Sequence, residues 1–482
     1  MKTNQNVIVS SFFWKMLERV GTQGIQLAIQ IVLARLLLPK DYGIITLVTI
    51  FITMATVLVQ SGLNTALIQK KDSDEKDFST VFWISIVLAV MLYICMFEIS
   101  PLIAWFYGEE TITGVLRVLS IVLFFHAINS VQNAYVVKNM LFKKLFKCTL
   151  ISILISGSLG IIMAYAGKGV WSLVIYQLCS SALNCLIMWY SVNWRPKFIF
   201  NLERAKVLWK YGWKIMAAYF LDTFYREIQG LVLGKISDTS TLGYYNRGQQ
   251  IPAIVIRCSN DTIKSVILPI YSERQENRDG LKVMMRKTLS MVAFIIFPIM
   301  AGLAMVAPEM TEVLLTEKWL PSVPFARILC LAYFMQPLIS VHMQAINAIG
   351  RSDIFCKTVY IQLGISFMVL CITVKIGVYA VAYGIVLATI IQWIMYIYET
   401  KKLFFYNIRE LFEDIVGSVL ITLFMMIGVA FADMIEMQIY LKLFFKILLG
   451  MIIYIGMAFL FKPRAYRYIE LILKEKRTNS EE

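Results

Sequence analysis

Of the 482 residues, 59% are hydrophobic and only 16% charged, and the mean hydropathy is +0.69. No soluble core could hide so much apolar surface, because soluble domains hold about 45 to 50% apolar residues even with glycine counted. The net charge of +15 lies mostly in the stretches between apolar runs, where it reports membrane orientation rather than nucleic-acid binding.

Apolar runs of about 20 residues, each able to cross a hydrocarbon layer of about 30 Å, recur to the end of the chain. Fourteen spans are predicted: 11–37, 43–64, 79–106, 112–136, 147–167, 170–192, 208–234, 242–268, 284–307, 325–348, 355–374, 378–398, 411–433 and 439–461. The first is too long for a signal-peptide core and lacks a small-residue cleavage site, so it is expected to be retained. The expected fold class is an all-α polytopic membrane protein with about fourteen transmembrane helices around a central cavity.

The first span carries charges where a lipid-facing helix should have none. At 100° per residue Lys15, Glu18, Arg19, Thr22, Gln23, Gln26 and Gln30 fall within roughly 140° of one another. An intramembrane charge costs about 2.5 to 3.5 kcal/mol on insertion scales, so this face is predicted to line a water-filled path. The second span has Thr46, Thr49, Thr53, Thr56, Gln60 and Asn64 at spacings of three and four, a continuous polar stripe.

Loop charge sets the orientation. One side holds Lys70, Lys71, Lys76, Lys138, Lys143, Lys144, Arg195, Lys197, Arg204, Lys206, Arg274, Arg278, Lys282, Arg351, Lys401, Lys402, Arg409 and the basic tail. The other offers little more than Lys40, Lys168, Lys235, Lys318 and Lys375. Both termini are therefore expected in the cytoplasm.

The spans repeat. At an offset of 199, Trp14 and Lys15 map to Trp213 and Lys214; at 200, Arg35 and Gly43 map to Lys235 and Gly243. At 210, Arg117, Leu119 and Lys147 map to Arg327, Leu329 and Lys357; at 208, Gly169-Val170-Trp171 and Tyr190 map to Gly377-Val378-Tyr379 and Tyr398. The predicted organisation is a six-helix half at 1–200, a second at 201–400, an extra helix pair at 401–462 and a basic cytoplasmic tail at 463–482. Because six is even, both halves share one orientation, an arrangement of transporters that bind substrate between their repeats and open alternately to the two faces.

The repeat partners of the first two spans are the seventh and eighth. Lys214, Asp222, Tyr225 and Gln229 share a face of the seventh, with Arg226 alongside; Asn246, Gln250, Arg257, Asp261 and Lys264 share a face of the eighth, with Arg247 at its margin. The candidate cavity residues are thus Lys15, Arg19, Thr49, Thr53, Gln60, Lys214, Arg226, Arg247, Arg257 and Lys264, a cationic excess over Glu18, Asp222 and Asp261. Those three acids are candidates for ion coupling or for charge pairing, Asp222 with Arg226 and Arg257 with Asp261 at i,i+4. Arg117 and Arg327, near segment ends, read as interface anchors, and His126 and His342 as hydrogen-bonded packing residues.

RLLLPKDYG at 35–43, GKISDTSTLGYYNRGQQIP at 234–252, LLTEKWLPSVPF at 314–325 and INAIGRSDIF at 346–355 resemble the bacterial polysaccharide-exporter branch of the multidrug/oligosaccharidyl-lipid/polysaccharide flippase superfamily. The resemblance spans nearly the whole chain. It implies a flippase that moves undecaprenyl-diphosphate-linked oligosaccharides across the cytoplasmic membrane for capsule, exopolysaccharide, O-antigen or teichuronic-type polymer synthesis. It also implies membrane lipids, a polysaccharide polymerase and glycosyltransferases as partners, and a sodium or proton gradient as coupling source. In the related lipid II flippases basic cavity residues serve the diphosphate, and Lys15, Arg19 and Arg257 lie on comparable helices.

The substrate class makes physical sense on its own terms: phosphates need cations, sugars need hydroxyl and amide partners, and the isoprenoid tail stays in lipid. Enzyme readings fare poorly. Asp72-Ser73-Asp74 has the form of a glycosyltransferase metal motif but sits in a short loop, and no Walker, dinucleotide or zinc motif occurs. The eight cysteines lie in apolar spans without a Cys-x-x-Cys pair, so no metal or other cofactor is expected. A cation-coupled multidrug exporter would share the fold but should present acids to its cargo. A membrane polysaccharide polymerase should carry a large extracytoplasmic loop.

Overall fold

The computed structural model describes residues 5–69, 74–138, 141–263, 267–274, 276–468 and 470, with side chains described from residue 21 onward apart from scattered positions. Among the described residues every regular element is a helix. In order these are α1 (Gln5–Leu36), α2 (Pro39–Gln69), α3 (Glu75–Tyr107), α4 (Thr111–Leu119), α5 (Val122–Lys138), α6 (Phe142–Tyr165), α7 (Val170–Ser191), α8 (Leu202–Ile236) and α9 (Thr239–Thr262). Then follow α10 (Leu268–Ser272), α11 (Arg278–Leu315), α12 (Val323–Tyr333), α13 (Gln336–Ala348), α14 (Ser352–Thr373), α15 (Val378–Phe404), α16 (Ile408–Phe431) and α17 (Ile439–Phe461).

The described residues of the predicted spans fall mostly on these helices, singly or as consecutive pairs. Eleven are long and apolar enough to cross a membrane among the described residues. The seventh and eighth spans are helical as α8 and α9 but too polar to join the eleven, and much of α1 lies where side chains are not described. The chain is an all-α, multi-pass membrane protein. The fourth and tenth spans, equated by the repeat, are each two helices: α4 and α5 part at Ser120, and α12 and α13 part at Phe334 and Met335. No glycine or proline marks the first break, which is why the apolar pattern runs through it.

Two compact units are present, Met1–Gly243 and Tyr244–Glu482. The first unit runs through α8 into the start of α9, and α8 packs along α2 within it. Glycines bring the two helices together. A Cβ on Gly62 would overlap the Gly212 carbonyl, and one on Gly212 would stand 3.0 Å from the Gly62 carbonyl. Further along, Gly230 receives Ile50 and Gly234 receives Leu47. Small residues on both helices let the backbones touch, which is how helices gain packing energy where lipid offers no hydrophobic gradient. The first unit also holds a reciprocal contact: Gly43 lies against the Thr239 carbonyl, and its repeat mate Gly243 against the Pro39 carbonyl.

In the second unit the extra pair is fastened to α11 at three heights. Near the start of α11, Arg286 binds Asp414 at 2.9 Å and Glu410 at 2.9 Å, while Arg464 reaches the same Asp414 at 2.7 Å. The Tyr406 hydroxyl adds a third donor to this buried carboxylate at 3.0 Å. At mid-height the Tyr454 hydroxyl donates to the Phe294 carbonyl at 2.6 Å. Near the end of α11, Lys446 is buried between Glu309 at 2.5 Å and Asp433 at 2.6 Å. Buried charges survive only when paired this closely.

In the first unit Asp74 is an N-cap. Its side chain accepts from the Asp77 N–H and Asp77 returns the bond, a capping box that starts α3. Asp72 and Ser73 lie outside the described residues.

A polar cavity in the first unit

A cavity of about 400 Å³ opens within the first unit, walled by α1, α2, α4, α5 and α7. The α2 stripe forms one wall: Thr49, Thr53, Thr56 and Gln60 all face it. The ends of the stripe do other work, Thr46 bonding the Tyr42 carbonyl at 2.7 Å and Asn64 bonding Ser130. Gln26 and Gln30 of α1 close a second side, and Gln177, Ser180 and Ser181 of α7 a third.

His126 organises the floor. Its Nδ1 lies 3.1 Å from Thr56 Oγ1, its Nε2 3.5 Å from Ser181 Oγ, and its carbonyl accepts from Gln60 Nε2 at 3.3 Å. Below it Asn129 donates to Asn184 at 3.1 Å and Asn184 to Thr149 at 3.4 Å. The reading of His126 as a hydrogen-bonded residue holds, but it is part of the cavity wall. Gln132, fully buried, has neither amide atom paired among the described residues, and Thr49 Oγ1 is buried without a partner there. Thr53, Gln177 and Ser180 face the cavity with no side-chain hydrogen bond among the described residues.

No Lys, Arg, Asp or Glu is among the described lining residues. The wall therefore offers hydroxyls, carboxamides and one imidazole, each donor or acceptor as required, on an apolar frame of Ile52, Val57, Leu119 and Val122. Such a site suits a neutral, hydroxyl-rich ligand, and its volume lies within the range of small-molecule pockets, about 300 to 1,000 Å³.

The expected cations whose side chains are described do not line this cavity. Lys214 is exposed on α8, and Arg226 is exposed and paired with Asp222, the i,i+4 pair read from the sequence. Arg247 is buried in the second unit with its guanidinium 5.6 Å from the Trp319 ring and a bond to Gln250. Arg257 is exposed, its Nε 3.4 Å from the Ala253 carbonyl of its own helix. Lys15, Glu18 and Arg19 stand on α1 and Asp261 on α9, with their side chains outside the described residues, as is the whole of Lys264. The sequence reading missed Gln177, Ser180 and Ser181, although with Asn184 they recur at i, i+3, i+4 and i+7 on α7, the same spacing that revealed α2.

Residues 32–324 match the polysaccharide biosynthesis protein family, and this stretch covers well over half of the chain. The chain belongs to that family. Its curated relatives include the teichuronic acid biosynthesis protein TuaB of Bacillus subtilis, 25% identical over 62% of this chain and 62% of the relative. They also include the succinoglycan biosynthesis transport protein ExoT of Rhizobium meliloti, 22% identical over 73% of this chain and 71% of that one. The aligned part thus spans less than two thirds of TuaB. The fold is that of the lipid II flippase MurJ in its inward closed conformation, at a TM-score of 0.76 and 15% identity over 97% of this chain and 100% of that one. A multidrug resistance MATE family transporter in an inward-facing conformation follows at a TM-score of 0.59 and 16% identity, over 79% of this chain and 94% of that one.

Proposed function

We propose that this family member is a flippase for undecaprenyl-diphosphate-linked oligosaccharides, and that the cavity of the first unit receives part of the glycan. The single observation that carries the reading is the chemistry of that cavity, whose described lining residues offer hydroxyls and carboxamides and no charge, sunk in a membrane protein. A sugar exchanges its water hydrogen bonds for those of Thr53, Gln177 and Ser180, which have no partner among the described residues to give up. Family membership and the MurJ-like fold support the transport part of the reading. An exporter of cationic drugs finds no carboxylate among these described lining residues.

The diphosphate is then assigned to the cations read from the sequence, Lys15, Arg19 and Arg257 first, with Lys214, Arg226, Arg247 and Lys264 behind them. Glu18, Asp222 and Asp261 are the proposed coupling acids for a sodium or proton gradient, and both termini are proposed to lie in the cytoplasm, where glycosyltransferases make the substrate. Vesicles holding purified protein and a fluorescent lipid-linked oligosaccharide test the assignment. Lys15→Gln, Arg19→Gln and Arg257→Gln should each slow flipping at least about tenfold, the loss of one charge-assisted hydrogen bond at roughly 1.5 to 3 kcal/mol. Wild-type rates in all three would sink the diphosphate assignment and leave the cavity assignment standing.

A further inference from the structure

Three prolines lie inside α3 and α11, at 101, 298 and 308. Each removes the N–H that the carbonyl four residues earlier would receive, leaving Phe97, Phe294 and Ala304 with an acceptor exposed in an apolar span. All three carbonyls are taken by a side chain from another helix. Arg117 Nε of α4 donates to Phe97 at 3.2 Å, Tyr454 of α17 to Phe294 at 2.6 Å, and Arg327 Nε of α12 to Ala304 at 3.1 Å.

Two of the three are repeat mates. Arg117 maps to Arg327, Pro101 to Pro308, and Phe97 to Ala304, although the second half carries three more residues between proline and arginine, in the stretch that forms the 3-10 turn Glu317–Ser322. The arginine still reaches the freed carbonyl across that longer connection. In the first half the site is more elaborate: Arg117 also donates to Ser100 Oγ at 2.9 Å, Ser100 donates to Phe97 at 2.8 Å, and the guanidinium sits 4.0 Å over the Phe97 ring. An arginine near a helix end often binds whatever carbonyl is close while its head seeks water. That account predicts no preference for proline-freed carbonyls and no agreement between the halves.

We infer that Arg117 and Arg327 are a matched pair of carbonyl clamps, which hold the proline points of α3 and α11 in one fixed shape. Without the guanidinium the helix has a missing rung: the Phe97 carbonyl keeps only Ser100, and the Ala304 carbonyl keeps no other side-chain donor among the described residues, so the helix bends there more freely. With it, α3 and α4 form one stiff corner, and α11 and α12 another. The transport cycle in which such stiffness would matter belongs to the proposed function, but the clamps are tested without any substrate.

The test exploits proline itself. Pro101→Ala restores a backbone N–H at that position, which can serve the Phe97 carbonyl again, so Arg117 becomes dispensable. Purified protein in nanodiscs is compared as wild type, Arg117→Gln, Pro101→Ala and the double variant, and in parallel with Arg327→Gln and Pro308→Ala. Arg117→Gln should lower the unfolding midpoint by about 3 °C or more, and less than half of that shift should remain in the alanine background; the second half should behave alike. Spin labels at Met91→Cys and Trp105→Cys, both exposed and on either side of Pro101, read the helix shape directly once the native cysteines, Cys95 of the same helix included, are replaced by serine or alanine. One narrow distance is expected in wild type, a broad one with Arg117→Gln, and a narrow one again in the double variant. Should Pro101→Ala fail to insert, the Arg327 and Pro308 pair decides the thermal comparison. Equal shifts with proline and with alanine, or an Arg117→Gln distance as narrow as wild type, would overturn the clamp.

Discussion

Thr56 Oγ1 and His126 Nδ1 meet at 3.1 Å in the wall of the first-unit cavity, joining α2 to α5 where a ligand would lie. The contact holds His126 in one orientation, so its other nitrogen faces Ser181. Thr56→Val should cost about 1 kcal/mol of stability and leave the ring free to turn. Thermal unfolding checks the first effect. The second appears as slowed flipping of a lipid-linked oligosaccharide that Thr56→Ser restores and Thr56→Val does not.

The α2 and α8 backbones touch at Gly62 and Gly212, and the two positions differ in how much room they leave. Gly62→Ala places a methyl inside the Gly212 carbonyl, a backbone atom that no side-chain rotation can move. Gly212→Ala meets the Gly62 carbonyl at 3.0 Å. Overpacking of this kind costs about 1 to 3 kcal/mol, with Gly62→Ala at the upper end and Gly212→Ala at the lower. Unfolding midpoints of the two variants rank them; a milder Gly62→Ala would contradict the geometry.

How far the amino-acid sequence discloses this site depends on which force leaves a trace. The α2 wall is legible because Thr49, Thr53, Thr56 and Gln60 interrupt an otherwise apolar helix at a regular spacing. The α7 wall is as regular but neutral and short, and a search led by charge passes over Gln177, Ser180 and Ser181. Charge misleads in another way at Arg247: on a helical wheel it borders the polar face, yet a ring from a distant residue, Trp319, packs against it. Arg117 and Arg327 are visible as repeat mates, but their role depends on prolines in other helices, which one-dimensional spacing does not connect. The capping of α3 by Asp74 is hidden behind a motif-like spelling.

The two ends of the Lys446 bridge should not be equivalent. Glu309→Gln leaves Lys446 with Asp433 at 2.6 Å, whereas Lys446→Met leaves the Glu309 carboxylate buried with Lys442 at 4.0 Å. Stranding a buried charge costs about 3 to 5 kcal/mol, so Lys446→Met should be the more destabilising. Adding Glu309→Gln to Lys446→Met should recover much of the loss. A double variant less stable than Lys446→Met alone would contradict the pairing.

Asp74 supplies a pH dependence outside the membrane. The hydrogen bond from Arg204 holds its carboxyl down at about 2, below the ordinary 3.8. A carboxyl lowered on folding contributes above its unfolded value, near 4, and that contribution is lost as pH falls through about 2. Asp74→Asn keeps a capping side chain and removes the charge. The stability gap between wild type and Asp74→Asn should therefore be level from pH 5 to 8, small because the pair is exposed, and should close below pH 4. A gap that widens on acidification would contradict the assignment.

The central claim is that a cavity lined by hydroxyls and carboxamides in a polysaccharide-family membrane protein handles the glycan of a lipid-linked substrate. The direct measurement is flipping in vesicles by wild type and by the triple variant Thr53→Val, Gln60→Leu, Gln177→Leu, with undecaprenyl diphosphate bearing either an oligosaccharide or no sugar. Three lost hydrogen bonds at about 0.5 to 1.5 kcal/mol each predict at least a tenfold slowing for the oligosaccharide, with the sugar-free lipid moved at one rate by both proteins. Equal slowing of both lipids, or a triple variant that flips the oligosaccharide at the wild-type rate, would contradict it.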